Sequence, residues 1–157
     1  MLSAAISAAV ACTPTPKGLL AVERTETGSV RVLIAPCSDY DALDFSVFRK
    51  GGGSADLQRW AVSNEVMRGS LPSIELFATP PGWRTTSTTL SDLKGGGTYT
   101  LTVYGAVGGR GLDGKVAFTA GQLEGLTAGQ VLVKQGSETK VVSRSEFMKD
   151  DPDRCTP

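Results

Sequence analysis

Hydrophobic and polar residues alternate with a period of two along most of this chain. In the clearest stretch, 98–104, the apolar Tyr99, Leu101 and Val103 alternate with threonines. A period of two is typical of a strand with one buried face, because successive side chains point to opposite faces of a sheet. Similar stretches, separated by turns rich in glycine and proline, predict strands at 18–24, 29–37, 44–50, 57–63, 73–78, 83–89, 98–104 and 115–118. Short strands at these intervals predict a mainly β fold, an antiparallel β-sandwich.

The C-terminal part of the chain predicts a small hairpin and short helical turns. Strands at 131–134 and 140–142 flank a turn that contains Gly136. Thr119 is placed to cap a helical turn, because a threonine hydroxyl accepts a hydrogen bond from the free N–H groups of a first helical turn. Ser143 or Ser145 is placed to cap a short helix over 144–149 in the same way. We therefore expect one sandwich domain over 18–157 that ends in a C-terminal extension.

Composition and charge narrow the possible functions. The chain has 157 residues, which is the size of one domain. Its 16 basic and 16 acidic residues cancel, so no charge excess attracts nucleic acid. It has no histidine, which excludes Ser-His-Asp and Cys-His catalysis and the common zinc sites that contain histidine. We expect no cofactor, no metal and no catalytic role.

The first residues have an unusual composition. Residues 1–11 carry no charge and end in Ala-Val-Ala directly before Cys12, and 13–16 read Thr-Pro-Thr-Pro. This arrangement resembles the lipobox of bacterial lipoprotein signals. The resemblance implies that 1–11 are a signal peptide and that Cys12 becomes the diacylated first residue at the extracytoplasmic face of the cell membrane. Residues 12–17 would then form a tether, since X-Pro units favour extended backbone.

The alternative for this segment is an ordinary buried strand or frayed terminus, with Cys12 a plain thiol. A transmembrane helix is disfavoured, because spanning a bilayer takes about 20 apolar residues.

The lipoprotein resemblance also bears on the other two cysteines. If lipid occupies Cys12, then Cys37 and Cys155 remain as one possible intramolecular pair. Export would permit a disulfide between them, and that bond would pin the C-terminal tail to the body of the domain. The alternative is two free buried thiols.

A second resemblance lies before the strand at 98–104. Leucines, a glycine and a tyrosine recur every third residue, at Leu90, Leu93, Gly96 and Tyr99. The spacing resembles the E–F corner of fibronectin type III and related immunoglobulin-like domains. The resemblance implies that the Tyr99 hydroxyl bonds to the upstream backbone, that the two leucines close one end of the core, and that Gly96 relaxes the turn.

The stretch 109–115 matches the phosphate-loop pattern G-x-x-x-x-G-K. Val116 stands where that pattern needs Ser or Thr, and both flanks predict strands where a phosphate loop needs a helix on its C-terminal side. The stretch is therefore better interpreted as a glycine-rich hairpin.

Two groups of carboxylates lie near Cys37 and Cys155 in the sequence: Asp39, Asp41 and Asp44, and Asp150, Asp151 and Asp153. A bond between the cysteines would bring the groups near each other, and several carboxylates together can hold calcium. Neither group has the spacing of an EF-hand, so a solvated acidic surface is the favoured interpretation.

Aromatic residues offer one more candidate site. Tyr40, Trp60, Trp83 and Tyr104 could form a ligand face, as in carbohydrate-binding sandwiches, although most aromatics in such a domain belong to the core. Trp83 is the expected exception, because it follows Pro-Pro-Gly and precedes Arg84. We expect Trp83 and Arg84 to be the possible ligand face. The threonines of 85–89 could carry glycans, although an edge strand is favoured.

Three functions are consistent with these patterns. The leading one is a lipid-anchored bacterial envelope protein with a binding or structural role toward an unidentified envelope protein or glycan. The second is a soluble secreted module that binds carbohydrate or protein. The third is a hydrolase that uses acidic residues, which needs two carboxylates facing each other in a pocket.

Overall fold

The computed structural model describes residues 18–50, 57–66, 71–94 and 96–157. The predicted signal peptide, Cys12 and the tether therefore lie outside the described residues. Within these ranges the strands are β1 (Leu20–Arg24), β2 (Val30–Ile34), β3 (Tyr40–Lys50), β4 (Leu57–Ser63), β5 (Ser73–Glu75), β6 (Arg84–Thr88), β7 (Thr98–Val107), β8 (Arg110–Thr119), β9 (Gln130–Gln135) and β10 (Glu138–Ser143). Two short helices, α1 (Ala120–Glu124) and α2 (Arg144–Phe147), and a 3-10 helix (Pro152–Cys155) complete the elements.

The strands form two antiparallel sheets of five strands each. Sheet 1 has the order β10-β9-β1-β2-β5, and sheet 2 has the order β6-β4-β3-β7-β8. Strands β1, β2 and β5 share one sheet, while β3, β4, β6, β7 and β8 share the other. The C-terminal hairpin β9–β10 extends sheet 1 beyond β1. The predicted sandwich with a C-terminal hairpin and short helix is confirmed.

The core lies between the inner faces of the two sheets. In β7 the buried residues alternate with more exposed ones, so Tyr99, Leu101 and Val103 point inward as their period of two predicts. Val116 and Phe118 of β8 continue the same layer. Burying a side chain of this size contributes about 1.5–3 kcal/mol, so the aligned inward positions of both sheets provide the main driving force for folding.

The helices are capped by residues that the sequence predicts as caps, while several strands begin or end at residues other than those predicted. Thr119 and Gln122 form a reciprocal capping box at α1, and Ser143, not Ser145, caps α2. Strand β8 begins five residues earlier than expected, because glycines interrupt its hydrophobic pattern without ending its pairing with β7. Strand β2 ends at Ile34, before the proline that would break a ladder.

A β-bulge in β3 shifts which residues of that strand face the core. Before the bulge Tyr40 and Ala42 are buried, and after it Phe45 and Val47 are buried. The extra residue reverses the alternation, as bulges do. Asn64 holds the irregular backbone, since its main-chain N–H donates to the carbonyl of residue 43 at 2.7 Å and its side-chain amide donates to the carbonyl of Ala42 at 3.4 Å.

The first residue of β3, Tyr40, packs over a glycine in the neighbouring strand. A Cβ atom added to Gly105 would lie 2.5 Å from the Tyr40 ring and from the carbonyl oxygen of Asp41, so only glycine fits there. The buried Tyr40 hydroxyl donates a hydrogen bond to the carbonyl of Leu112 at 3.1 Å. Burial, and secondly the charge of Asp113, raises the pKa of Tyr40 above its ordinary value.

Replacing Tyr40 by phenylalanine should change the dependence of stability on alkaline pH. Because its pKa is raised in the folded state, Tyr40 contributes its full stabilisation at pH values below the pKa of a tyrosine in the unfolded chain, near 10. That contribution is lost as the pH rises above this value. Near neutral pH, Tyr40→Phe should lower the free energy of unfolding by about 1 kcal/mol, because it removes one buried hydrogen bond. The difference between the two proteins should shrink above about pH 10, as measured by urea unfolding at a series of pH values. A difference that stays constant through that range would contradict this account of Tyr40.

Candidate functional site

The predicted disulfide is present. Cys37 follows β2 and is buried, and Cys155 ends the 3-10 helix; their sulfurs are bonded and their Cα atoms lie 5.4 Å apart. The bond links positions separated by 118 residues in the sequence. By loop-closure entropy a cross-link of this span stabilises the folded state by about 4–5 kcal/mol, less any strain.

Arg154 holds the segment before the disulfide in place. Its guanidinium donates to the carbonyl of Phe147 at 2.5 Å and lies 5.2 Å from the centre of the Phe147 ring. It also approaches the Asp151 carboxylate at 3.3 Å. The Phe147 ring is buried, so the guanidinium and the disulfide together attach the C-terminal segment to the core.

The disulfide lies at the end of the sandwich where the described chain begins. The backbone N–H of Ala35 donates to the carbonyl of Leu19 at 2.9 Å, which places the start of β1 beside the end of β2. Gly18, Phe147 and Arg154 line one shallow depression at this end. We call this end of the sandwich the disulfide end. The turn 25–29 and α1 lie at the opposite end, which we call the far end.

The four aromatic candidates have different environments. Tyr40 and Trp60 are buried, and the Trp60 ring contacts the Phe45 and Phe77 rings edge-on at centroid distances of 6.1 and 5.7 Å. Tyr40 and Trp60 are therefore core residues and cannot belong to a ligand face. Tyr104 is 50% exposed, which makes it the aromatic of this set that is most available to a ligand.

Trp83 and Arg84, the predicted ligand face, lie at the start of β6. Trp83 is half-buried and packs against the core. Its backbone N–H donates a hydrogen bond to the carbonyl of Pro80 at 3.0 Å, which closes a turn. Arg84 is exposed and pairs with the exposed Glu65 at 2.9 Å, a surface ion pair that contributes little stability. The Trp83 ring is less exposed than its loop-like sequence suggests. A ligand contact at Trp83 and Arg84 stays a prediction.

Of the four corner residues, Leu90, Leu93 and Gly96 lie between β6 and β7, and Tyr99 is the second residue of β7. Leu90 and Tyr99 are buried, Leu93 is half-buried against the core, and Tyr99 stacks on Phe118 at 5.7 Å. Gly96 is exposed, and the positive φ in this turn belongs to its neighbour Gly97, at 104°. The leucines and the tyrosine fill the core as expected, while the hydrogen bond of the Tyr99 hydroxyl to the upstream backbone stays a prediction.

The phosphate-loop pattern at 109–115 is part of a β-hairpin. Gly108 and Gly109 form the turn with φ values of 56° and 78°, as a two-residue hairpin turn requires. Strand β8 begins at the next residue and contains Lys115, so no helix follows the glycines. The hairpin interpretation is confirmed, and a phosphate loop is excluded.

The two aspartate groups remain at the surface. Asp39 and Asp44 are exposed, and Asp151 caps the 3-10 helix by accepting from the N–H of Asp153 at 3.1 Å. Within the described ranges, no three His, Cys, Asp or Glu residues converge to hold a metal ion. The hypothesis of calcium between the two groups is therefore not supported by the described geometry.

One buried carboxylate was not singled out by the sequence. Glu23 on β1 lies opposite Arg31 on β2, and their side chains bond at 2.6 Å. Arg144, at the start of α2, approaches the other oxygen of the Glu23 carboxylate at 3.7 Å. A carboxylate as buried as that of Glu23 is stable only when cationic side chains pair with it. Because both partners of Glu23 are arginines, it lacks the facing carboxylate that an acidic hydrolase needs.

A wide depression lies on the outer face of sheet 2, over parts of β3, β4, β7 and β8. The depression has a volume of about 660 Å³. We call it the Tyr104 face, after its exposed ring; its side chains are Asp44, Ser46, Arg59, Thr102, Tyr104, Asp113 and Lys115. The alternation in 98–104 predicts that Tyr104 points outward. Which side chains lie beside Tyr104 depends on the strand register and on the bulge in β3, and no local pattern in the sequence predicts either.

A second concave surface lies at the far end. The cleft measures about 390 Å³, and its apolar side is formed by Val30, Leu76, Phe77, Leu93 and Leu123. Phe77 adopts a φ of 65°, which is rare for a bulky residue. Arg24, Lys94, Asp92 and Glu124 line the polar side of the cleft. A cleft of this character can accept an apolar group.

Comparison of the chain with protein-family models, with curated proteins and with solved structures finds no match. In the described part of the chain, no helix has the length and hydrophobicity needed to cross a bilayer.

Removing the disulfide should lower the stability of the domain. In a Cys12→Ala background, which leaves no third thiol, replacing Cys37 and Cys155 by alanine should lower the free energy of unfolding by about 2–5 kcal/mol. Urea unfolding followed by circular dichroism measures this change. Dithiothreitol should lower the midpoint of the parent protein and leave that of the double variant unchanged. A parent midpoint that is insensitive to reductant would contradict the stabilising role of the bond.

Proposed function

We propose that this chain is a bacterial envelope lipoprotein. Residues 1–11 act as the signal peptide, Cys12 carries the lipid, and 12–17 tether the sandwich to the extracytoplasmic face of the cell membrane. The sandwich has a binding role toward an envelope protein or glycan. No catalytic role is part of the proposal.

The observation that carries this proposal is the bond between Cys37 and Cys155. Disulfides persist in oxidising compartments and are rare in the cytosol, so the bond favours export. With these two cysteines paired, Cys12 is the odd cysteine of the chain. An unpaired cysteine in an exported protein calls for its own explanation, and lipidation supplies one.

The position of Gly18 also supports the proposal. Gly18 lies at the disulfide end, so a tether ending at residue 17 would leave the sandwich there. Strand β1 then runs away from that end over five residues, a length of about 17 Å. Under the proposed anchoring, the cleft at the far end would point away from the membrane and be accessible to partners in the envelope.

A soluble secreted module is the second candidate, because the same disulfide also suits a protein released from the cell. The two candidates differ in the fate of Cys12 and share the binding role. The acidic hydrolase gains no support, because Glu23 is engaged by Arg31 and Arg144.

The test is the modification state of Cys12. The full chain is expressed in bacteria with its native upstream region, beside Cys12→Ala and a matched control, Thr15→Ala, which changes the tether but keeps the cysteine. Intact mass and partitioning into a detergent phase are measured for all three proteins. We expect the wild type and Thr15→Ala to gain the mass of a lipid and to enter the detergent phase, because acyl chains transfer out of water at about 0.8 kcal/mol per CH₂ group. We expect Cys12→Ala to stay in the aqueous phase.

Two other outcomes have clear meanings. A wild type that is unmodified, aqueous and secreted would replace the lipoprotein with the soluble module. A wild type that is unmodified and remains in the cytosol would contradict both candidates.

A further inference from the structure

Tyr104 is exposed in an unusual position. Among the described residues, the other large hydrophobic side chains that are exposed lie at a strand start, in a turn, on the edge strand β10 or after α2: Leu57, Val66, Val141 and Met148. Tyr104 lies instead on β7, which is paired on both sides, by β3 and β8. The other outward positions of 98–104 are threonines. Half of the Tyr104 side chain is exposed between these two paired strands, so one face of the ring is available to a ligand.

Carboxylates lie on both sides of this ring. The strand register places Asp44 of β3 and Asp113 of β8 directly opposite Tyr104, so the three side chains form one row across the sheet. Adjacent strands lie about 4.8 Å apart, so the row spans about 10 Å. Neither Asp44 nor Asp113 takes part in an ion pair within the described part of the chain. Their oxygens are therefore open as hydrogen-bond acceptors.

The next row of the same face supplies hydroxyl groups. Ser46 and Thr102 lie opposite each other, and their hydroxyl oxygens are 2.9 Å apart. The Ser46 residue is only 7% exposed, so it forms the floor of the depression. One of the two hydroxyls donates a hydrogen bond to the other. The accepting hydroxyl keeps its own proton as a donor for a ligand, and both oxygens keep lone pairs that can accept.

The charge of the Tyr104 face indicates which class of ligand fits it. Arg59 and Lys115 line the depression together with Asp44 and Asp113, so two cations balance two anions. A balanced face offers no net attraction to a phosphate, an anionic lipid or a quaternary ammonium group. It offers hydrogen-bond donors and acceptors around one exposed aromatic ring, which suits a neutral ring with many hydroxyl groups.

From this arrangement we infer that the Tyr104 face binds a neutral oligosaccharide. One sugar ring lays its C–H face on the Tyr104 ring. Sugar hydroxyls donate to Asp44 and Asp113 and accept from Arg59 and Lys115. The row across the strands has room for about two linked sugars. The inference rests on the binding role proposed above and names its ligand class, and it does not depend on the lipid.

The inference is tested with the full chain carrying Cys12→Ala, so that lipid plays no part. Cellotetraose, chitotetraose, maltotetraose and tetramethylammonium are each titrated into the labelled protein, with amide NMR shifts and calorimetry as readouts. We expect at least one oligosaccharide to bind and to shift amides of β3, β7 and β8. Tyr104→Ala should weaken that binding about tenfold or more, because it removes the stacking ring, whereas Tyr104→Phe should keep it within about threefold.

Further variants separate a specific effect from a loss of folding. Asp113→Ala keeps the ring and should weaken binding about threefold or more through a lost acceptor. Val141→Ala, an equally exposed side chain on sheet 1, is the matched control and should bind like the parent. The inference is overturned if no oligosaccharide binds, if only tetramethylammonium binds, or if Tyr104→Ala binds like the parent. If the protein binds an oligosaccharide but the wild type carries no lipid on Cys12, the proposed anchor is wrong and this inference stands. If the wild type carries lipid but the protein binds no oligosaccharide, the anchor stands and this inference is wrong.

Discussion

The bond between Cys37 and Cys155 is the constraint on which the arrangement of this domain depends. It fixes the C-terminal segment against the end of β2, with Arg154 seated on the Phe147 ring beside it. The attached segment follows α2, and α2 directly follows the hairpin β9–β10 that extends sheet 1 next to β1. Without the cross-link, the 3-10 helix would depend on the contacts of Arg154, whereas α2 would keep its buried Phe147 ring. The same bond supports an oxidising location, so one covalent link bears on both the architecture and the proposed place in the cell.

The irregular backbone of β3 determines what the outer face of sheet 2 presents. The bulge lets Tyr40 and Ala42 point into the core at one end of the strand and lets Asp44 point outward beyond it. Asn64 stabilises that irregularity through two hydrogen bonds to the backbone. A carboxylate thereby stands beside the exposed Tyr104 ring. Bulges often redirect a side chain in this way next to binding sites.

Local patterns in the sequence predicted the fold class, whereas the pairing of the cysteines was implied by the lipoprotein resemblance and the count of three cysteines. The period of two in 98–104 indicated which face of β7 is buried, and Thr119 and Ser143 marked the caps of both helices. These features depend on neighbouring residues, so a sequence displays them directly. At 109–115, the flanking alternation likewise distinguishes the observed hairpin from a phosphate loop.

The composition of the surfaces could not be predicted in the same way. The row of Asp44, Tyr104 and Asp113 joins three strands whose register depends on tertiary packing and on the bulge. The burial of Glu23 depends on arginines from a neighbouring strand and from a distant helix. Trp83 follows a turn that its backbone N–H closes, and yet it packs against the core. Such long-range contacts leave no signal in local periodicity.

The state of the two cysteines in the cell tests the central claim most directly. Protein is isolated from bacteria with thiols blocked by iodoacetamide at lysis, then reduced and labelled with a second alkylating reagent before peptide mass spectrometry. The account predicts that Cys37 and Cys155 carry only the second label, because both are oxidised in an exported protein. If both carried the first label, the protein would reside in a reducing compartment, which would contradict the account.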